Sequence, residues 1–318
     1  MGEQSMPQTL SAEQVRFYRE NGYVVLPGAL PAETLRAMRA ETDRIVAEAA
    51  SLTESDASYD LEDSHTPEAP RVRRIKDPVN ASPVFKDLMA SETICAILRP
   101  LLGDDIRFHH GKMNMKHAEY GAPVEWHTDW AFYPHTNDDV LEVGMLLDDC
   151  DEANGPLLVI PGSHTGPAYD HHAGGYFCGA MDPRAQEVDF EKAVALTGPA
   201  GTITLHHVRT VHGSSLNRSD HPRRLLLYGY TAADAWPLTG GVGPAFDLAA
   251  FNAQMVTGEP TLRPRLAAVP VQLPLPPAPK GGSIYENQKG TAARYFDTYE
   301  AVTPAAGNGA TAEAPAGS

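Results

Sequence analysis

The run Val140-Leu141-Glu142-Val143-Gly144-Met145-Leu146-Leu147 is almost wholly apolar, short, and closed by Asp148 and Asp149. Its length suits a buried strand better than a helix. The same texture recurs at residues 106–109, 157–160, 201–207 and 225–230, with Gly, Pro, Asn and Asp between the runs. Widely spaced short strands without helical repeats between them predict a sandwich or jelly roll rather than a doubly wound sheet. No Gly-rich nucleotide fingerprint competes with that reading.

Toward the N-terminus the pattern becomes helical. Ser11 and Gln14 make a capping box, Val15, Phe17 and Tyr18 follow, and Asn21-Gly22 ends the helix before an apolar strand at 23–26. Leu35, Met38, Ile45 and Val46 repeat at helical spacing within 31–50. Phe85, Leu88, Met89, Ile94, Ile97, Leu98 and Leu101 repeat it before Gly103. The expectation is one domain over residues 1–303, a helical N-terminal third packed on a β core that begins near residue 104. Residues 260–279 are Pro-rich and predict a wrapping strap. Residues 304–318, of Ala, Gly, Thr and Pro, predict a disordered tail.

A chain of 318 residues that is 42% hydrophobic and 21% charged is ordinary globular material with room for a sizeable core. Its formal charge of -16 argues against nucleic acid or an anionic membrane as partner, since both need a basic face. A small molecule is the expected partner, and oligomeric state is left open. Three scattered cysteines, Cys95, Cys150 and Cys178, suit neither a disulfide framework nor a thiolate metal site. The N-terminus lacks a basic segment followed by an apolar run, and no stretch approaches the ~18 apolar residues of a membrane span. A cytoplasmic protein is expected.

The chemistry is concentrated in Val124-Glu125-Trp126-His127-Thr128-Asp129-Trp130. On a strand, a period of two would put the His127 imidazole and the Asp129 carboxylate on one face. A His-x-Asp tripeptide is weak evidence alone, because a chain with 13 His yields one by chance. A second histidine is available in Val211-His212-Gly213-Ser214, at a predicted strand end. Two His and one carboxylate leave three coordination positions open, as in the facial triad of non-haem Fe(II) oxygenases. A bidentate 2-oxo acid would fill two and dioxygen the third. The distal carboxylate of such a co-substrate needs a fixed cation, and the planar fork of Arg suits it better than Lys. In a strand starting at Arg223, that residue shares a face with Leu225 and Leu227, while Arg224 points away.

These residues resemble the phytanoyl-CoA dioxygenase family of Fe(II)/2-oxoglutarate oxygenases, which includes ectoine hydroxylase. The resemblance rests on Trp126-His127-Thr128-Asp129 with Phe132-Tyr133-Pro134, and on Asn154-Gly155-Pro156-Leu157 running into Ile160-Pro161-Gly162-Ser163-His164. It is completed by His212-Gly213-Ser214 with Asn217, Ser219 and Arg223. It implies a double-stranded β-helix (a cupin-like jelly roll), iron ligands His127, Asp129 and His212, and Arg223 as the 2-oxoglutarate anchor. Asn114 and Ser214 are implied as further co-substrate contacts, and Tyr133 as an aromatic close to it. Halogenating relatives replace the carboxylate with a small residue, so Asp129 implies hydroxylation.

Plainer readings stand beside these. His206, His207 and His221 compete with His212 for the third ligand place, and His164 belongs to a Pro-Gly-Ser-His chain reversal. Trp126, Trp130, Phe132 and Tyr133 could simply fill the interior. Trp130 and Phe132, with Tyr176 from a later loop, are the expected substrate-pocket aromatics. Residues 164–197 read as a lid with a hinge at Gly174-Gly175, and the acidic stretch 53–70 as a solvated loop or second lid. Arg71, Arg73, Arg74 and Lys76 form a basic cluster that suits a CoA thioester, or a solvated, internally paired face.

The expected function is therefore an Fe(II)/2-oxoglutarate-dependent dioxygenase that hydroxylates an unactivated C–H of a small metabolite or natural-product intermediate. Succinate and CO2 are the expected co-products, and desaturation, epoxidation or ring closure are open outcomes. The alternatives are a zinc or nickel cupin-like enzyme and a catalytically silent β-helix that only binds a ligand. Arg223 speaks against the first, and the presence of all four key residues against the second.

Overall fold

The structure, a computed structural model, describes residues 8–118, 121–240, 243, 245–279 and 283–298. The tail expected at 304–318 lies outside the described residues. Helix α1 (Ala12–Asn21) starts at the reciprocal Ser11–Gln14 capping box, and Gly22, at φ 78°, turns the chain into β1 (Tyr23–Leu26). Helix α2 (Ala32–Ala49) buries Met38 and Ile45. Strands β2 (Tyr59–Leu61) and β3 (Val72–Ile75) follow, then α3 (Pro78–Ala81), α4 (Pro83–Met89) and α5 (Glu92–Leu102). The stretch 53–70 is thus no free loop: β2 lies within it and pairs with β3.

The β part begins with β4 (Ile106–Lys116), β5 (Val124–His127), β6 (Val140–Leu146) and β7 (Leu157–Val159). Next come the short β8 (His172–Ala173) and β9 (Tyr176–Phe177), then β10 (Val194–Leu196), β11 (Ile203–His207), β12 (His212–Ser214) and β13 (Arg223–Ala232). Helix α6 (Leu248–Asn252), β14 (Met255–Thr257) and α7 (Ile284–Asn287) complete the described chain. The protein is mainly β. An 8-stranded sheet has the order β1-β11-β6-β13-β4-β3-β2, with β14 beside β4, and a 4-stranded sheet the order β10-β7-β12-β5. Every pairing is antiparallel.

Strand periodicity divides the large sheet into two faces. Met113, Leu141, Val143, Leu205 and Leu226 join Met38, Ile45, Phe85 and Ile94 of the helices in one apolar core. That burial, at about 1.5–3 kcal/mol per large side chain, fixes the register of the sheet. A slip of one residue would turn Lys112, Asn114, Lys116 and Arg223 into the apolar layer. The face they occupy instead lines a cavity shared with the 4-stranded sheet.

The Pro-rich residues 260–279 run as a strap, pinned by Arg265 N to Asp234 O (3.0 Å) and Ala267 N to Thr136 O (3.0 Å). Residues 164–197 are not a single lid. They hold β8, β9 and β10 and buttress β5 from outside, with Met181 N bonded to Trp126 O (2.8 Å) and Phe190 stacked 5.2 Å from Trp126.

Candidate active site

The β5–β12 pairing sets His127 opposite His212, with ring centroids 4.1 Å apart. Asp129 does not share the strand of His127, as its spacing suggests. Strand β5 ends at His127, and Asp129 opens a single 3-10 turn, Asp129–Ala131, which still brings its carboxylate back to the imidazoles. One ligand atom from each of the three side chains lies within 4.8 Å of the others, and all three residues are buried.

Backbone carbonyls orient both rings. His127 Nδ1 lies 2.8 Å from Glu125 O and His212 Nδ1 2.9 Å from Thr210 O. With Nδ1–H donating, each Nε2 keeps its lone pair for a metal. Burial pushes His212 down to about 4, and burial together with His212 pushes His127 well below the usual histidine value. Burial works against the Asp129 charge, but Lys112, His212, His206 and His127 hold its carboxyl well below the usual range. Two neutral imidazoles beside a carboxylate are the protonation states that a divalent metal requires, so the donor set fits the group.

The competing histidines go elsewhere. His206 Nε2 stands 3.4 Å from Asp129 Oδ2 and steadies that carboxylate. His207 faces Asp138 at 3.9 Å, and His164 Nε2 meets Arg19 O at 3.0 Å. His221 lies near the surface, beside Asp220 at 3.1 Å.

A second cluster lies at one end of the cavity. Arg223 on β13 and Lys116 on β4 are cross-strand partners, each 2% exposed. Arg223 donates to Gly155 O and Lys116 to Ser215 O, yet neither makes an ion pair among the described residues, and Arg223 Nε is buried without a partner. Gly155, at φ 73°, permits this approach: a Cβ there would lie 2.7 Å from Ser215 O and 2.9 Å from Lys116 Cδ. Burial lowers the Arg223 pKa, and burial followed by the Arg223 charge lowers that of Lys116 far below the ordinary lysine value. Two desolvated cations side by side are costly unless a bound anion shares them. The cradle fits the distal carboxylate of 2-oxoglutarate.

The cavity, about 560 Å³, runs between the two sheets and joins this cradle to the His127–Asp129–His212 cluster. Asn114, Ser214, Tyr133 and Phe132 all line it. The Asn114 Oδ1 is buried without a partner, the Tyr133 hydroxyl donates to Glu142 (2.9 Å), and Phe132 sits edge-on to His127 at 5.8 Å. Two expected pocket aromatics are elsewhere. Trp130 donates its Nε1–H to Pro270 O (2.8 Å) and packs with Val140, Val208 and Ala235. Tyr176 is 47% exposed on β9, and no described residue of 164–197 lines the cavity.

Sequence reasoning passed over Lys112 and Lys116, although His110, Lys112, Asn114 and Lys116 alternate along β4 and mark a single face. The strand that the apolar run predicts over 106–109 continues to Lys116. It also passed over α7, whose Ile284, Tyr285 and Asn287 close one wall without any motif.

Two imidazoles and a carboxylate joined by one cavity to a buried pair of cations define a class of protein: mononuclear non-haem iron enzymes that use 2-oxoglutarate. A family model described as phytanoyl-CoA dioxygenase (PhyH) matches residues 18–225. This chain belongs to the phytanoyl-CoA dioxygenase (PhyH) family and is a 2-oxoglutarate-dependent dioxygenase that works with iron. A probable alpha-ketoglutarate-dependent hypophosphite dioxygenase of Stutzerimonas stutzeri is 40% identical over 289 residues, 90% of this chain and 99% of that one. An ectoine dioxygenase of Bordetella parapertussis is 28% identical over 250 residues, 73% of this chain and 79% of that one. The crystal structure of EctD from S. alaskensis with bound Fe is 26% identical, covers 84% of this chain and 90% of that one, and superimposes with a TM-score of 0.59. Among the described residues, no helix is long and apolar enough to cross a membrane.

Proposed function

We propose that His127, Asp129 and His212 hold Fe(II) and that Arg223, with Lys116 beside it, receives the distal carboxylate of 2-oxoglutarate. The observation that carries this reading is the single cavity that joins a three-donor cluster to two buried basic side chains without an ion pair among the described residues. Bound there, iron with 2-oxoglutarate and dioxygen supplies co-substrate decarboxylation to succinate and CO2, coupled to oxygen insertion into a substrate bond. The protein's own part is orientation and exclusion. Backbone carbonyls fix the two rings, His206 and Lys112 fix the Asp129 carboxylate, and Asn114, Ser214 and Tyr133 bound the co-substrate space. Phe132 limits water near His127.

Two antiparallel sheets with the site between them support reading the core as a double-stranded β-helix. The large sheet draws strands from Tyr23 to Thr257, which supports one oxygenase domain across residues 1–303. The substrate is a small metabolite hydroxylated at a C–H bond, or at the P–H bond of hypophosphite if the reaction follows the name of the Stutzerimonas relative. Anaerobic titration of Fe(II)-loaded protein with 2-oxoglutarate tests the assignment. A weak visible charge-transfer band is expected in the wild type and not in His212→Ala. Absence of the band with iron demonstrably bound would favour an enzyme of another metal.

A further inference from the structure

The basic cluster at residues 71–76 was left without a role by the metal centre. Its members do different things. Arg73 is held by Glu62 at 2.8 Å and lies over the Tyr285 ring, and Lys76 pairs with Asp60 at 2.9 Å. Arg74 pairs in register with Asn114 of β4, so its side chain shares the inward face and lines the cavity. Its Nε is buried and has no partner among the described residues. Helix α7 brings Asn287 to the same cavity, where its Oδ1 is buried and has no partner among the described residues, so no donor fixes the orientation of that amide. Gln288 secures that helix to the metal strand, accepting from Glu125 N at 2.9 Å and donating to Gly179 O at 2.8 Å.

Charge on the cavity wall points the same way. In a chain of net charge -16, the lining holds Arg74, Lys112, Lys116 and Arg223 against Asp129 as its one carboxylate among the described residues, while the charge of Lys76 is met by Asp60, the cross-strand partner of Arg74. The co-substrate dianion is met by Arg223 and Lys116, and the charge of Fe(II) adds to the positive side. A positive field is left toward the β3 edge, which recruits an anion rather than a zwitterion or a cation.

We propose that Arg74 and Asn287 form the substrate subsite, and that the substrate is a compact oxyanion held by the Arg74 guanidinium and by the Nδ2–H of Asn287, which a flip of that amide turns toward the cavity. The inference rests on the oxygenase reading and deepens it. Arg74 lies two strands from Arg223 in the order β13-β4-β3, which separates it from the co-substrate anchor. Asn287 lies beyond the residues 18–225 that match the family model. An oxyanion of phosphorus and a small carboxylate offer the same acceptor chemistry, and the test separates them.

The test is calorimetric titration of protein loaded with Zn(II) and 2-oxoglutarate, which prevents turnover, using hypophosphite, methylphosphonate, acetate and zwitterionic ectoine as probes. The wild type is expected to bind at least one of the three anions more tightly than ectoine. Arg74→Gln is expected to weaken that anion about tenfold or more, the usual effect of losing a charge-assisted hydrogen bond. Arg74→Lys should recover part of the loss, and Asn287→Ala should weaken the anion several-fold. The dissociation constant of 2-oxoglutarate should stay within twofold in all three variants. Preference for phosphorus anions or for acetate identifies the source. Unchanged anion affinity in Arg74→Gln, a loss of 2-oxoglutarate affinity instead, or preference for ectoine would each overturn the subsite. Failure of the wild type to bind 2-oxoglutarate would strike the oxygenase reading itself.

Discussion

Replacing Arg223 with Gln separates the cost of holding a buried cation from its use. Arg223 is 2% exposed and, among the described residues, has an unpartnered Nε and donates only to the Gly155 carbonyl, beside the buried Lys116. A charge-assisted hydrogen bond to a carboxylate contributes about 1.5–3 kcal/mol, so losing the fork should raise the dissociation constant of 2-oxoglutarate roughly 10- to 150-fold. The unliganded protein should behave in the opposite sense, because Gln removes a desolvated guanidinium charge that no carboxylate meets among the described residues, without opening a large void. Its stability to urea should stay level or rise. Anaerobic titration of the charge-transfer band gives the first quantity, and denaturation of metal-free protein the second. Affinity for 2-oxoglutarate within twofold of wild type would remove Arg223 from the anchor. A marked fall in stability would show that its charge is compensated in the empty protein.

Two further tests concern its neighbours. The depressed Lys116 pKa means that the unfolded chain binds more protons than the folded one between the folded value and the ordinary value near ~10.4. Stability of the metal-free protein should therefore rise with pH across that window by up to about 1.4 kcal/mol per unit relative to Lys116→Met. Adding 2-oxoglutarate should reduce that difference, and equal pH slopes in urea denaturation of the two proteins would refute it. His206→Ala removes the neighbour 3.4 Å from Asp129 Oδ2 and should weaken metal affinity by about 10- to 100-fold, read by competition with a chelator. Unchanged affinity would show that Asp129 needs no such support.

How much of this was legible in the chain follows from the range of each signal. The capping box at Ser11, the strand at Tyr23–Leu26 and the β texture after Gly103 are set by neighbours within a few residues, and the structure has each of them. His127, Asp129, His212 and Arg223 stand out by residue type and spacing, Asn114 and Ser214 only through the family resemblance, and all six line one cavity. Trp130 and Tyr176 were misjudged because closeness in sequence to a ligand does not fix direction. The turn at Asp129–Ala131 sends Trp130 toward Pro270, and β9 leaves Tyr176 in solvent. The sequence by itself thus determined the elements and the chemical kinds of the ligands, since local backbone preference and side-chain type are local properties. Tertiary structure alone decided that Lys116 stands beside Arg223, that Arg74 turns inward while Arg73 pairs with Glu62, and that α7 closes the wall. Those outcomes depend on strand register and on contacts between segments far apart in the chain, set by the burial of the apolar core as a whole.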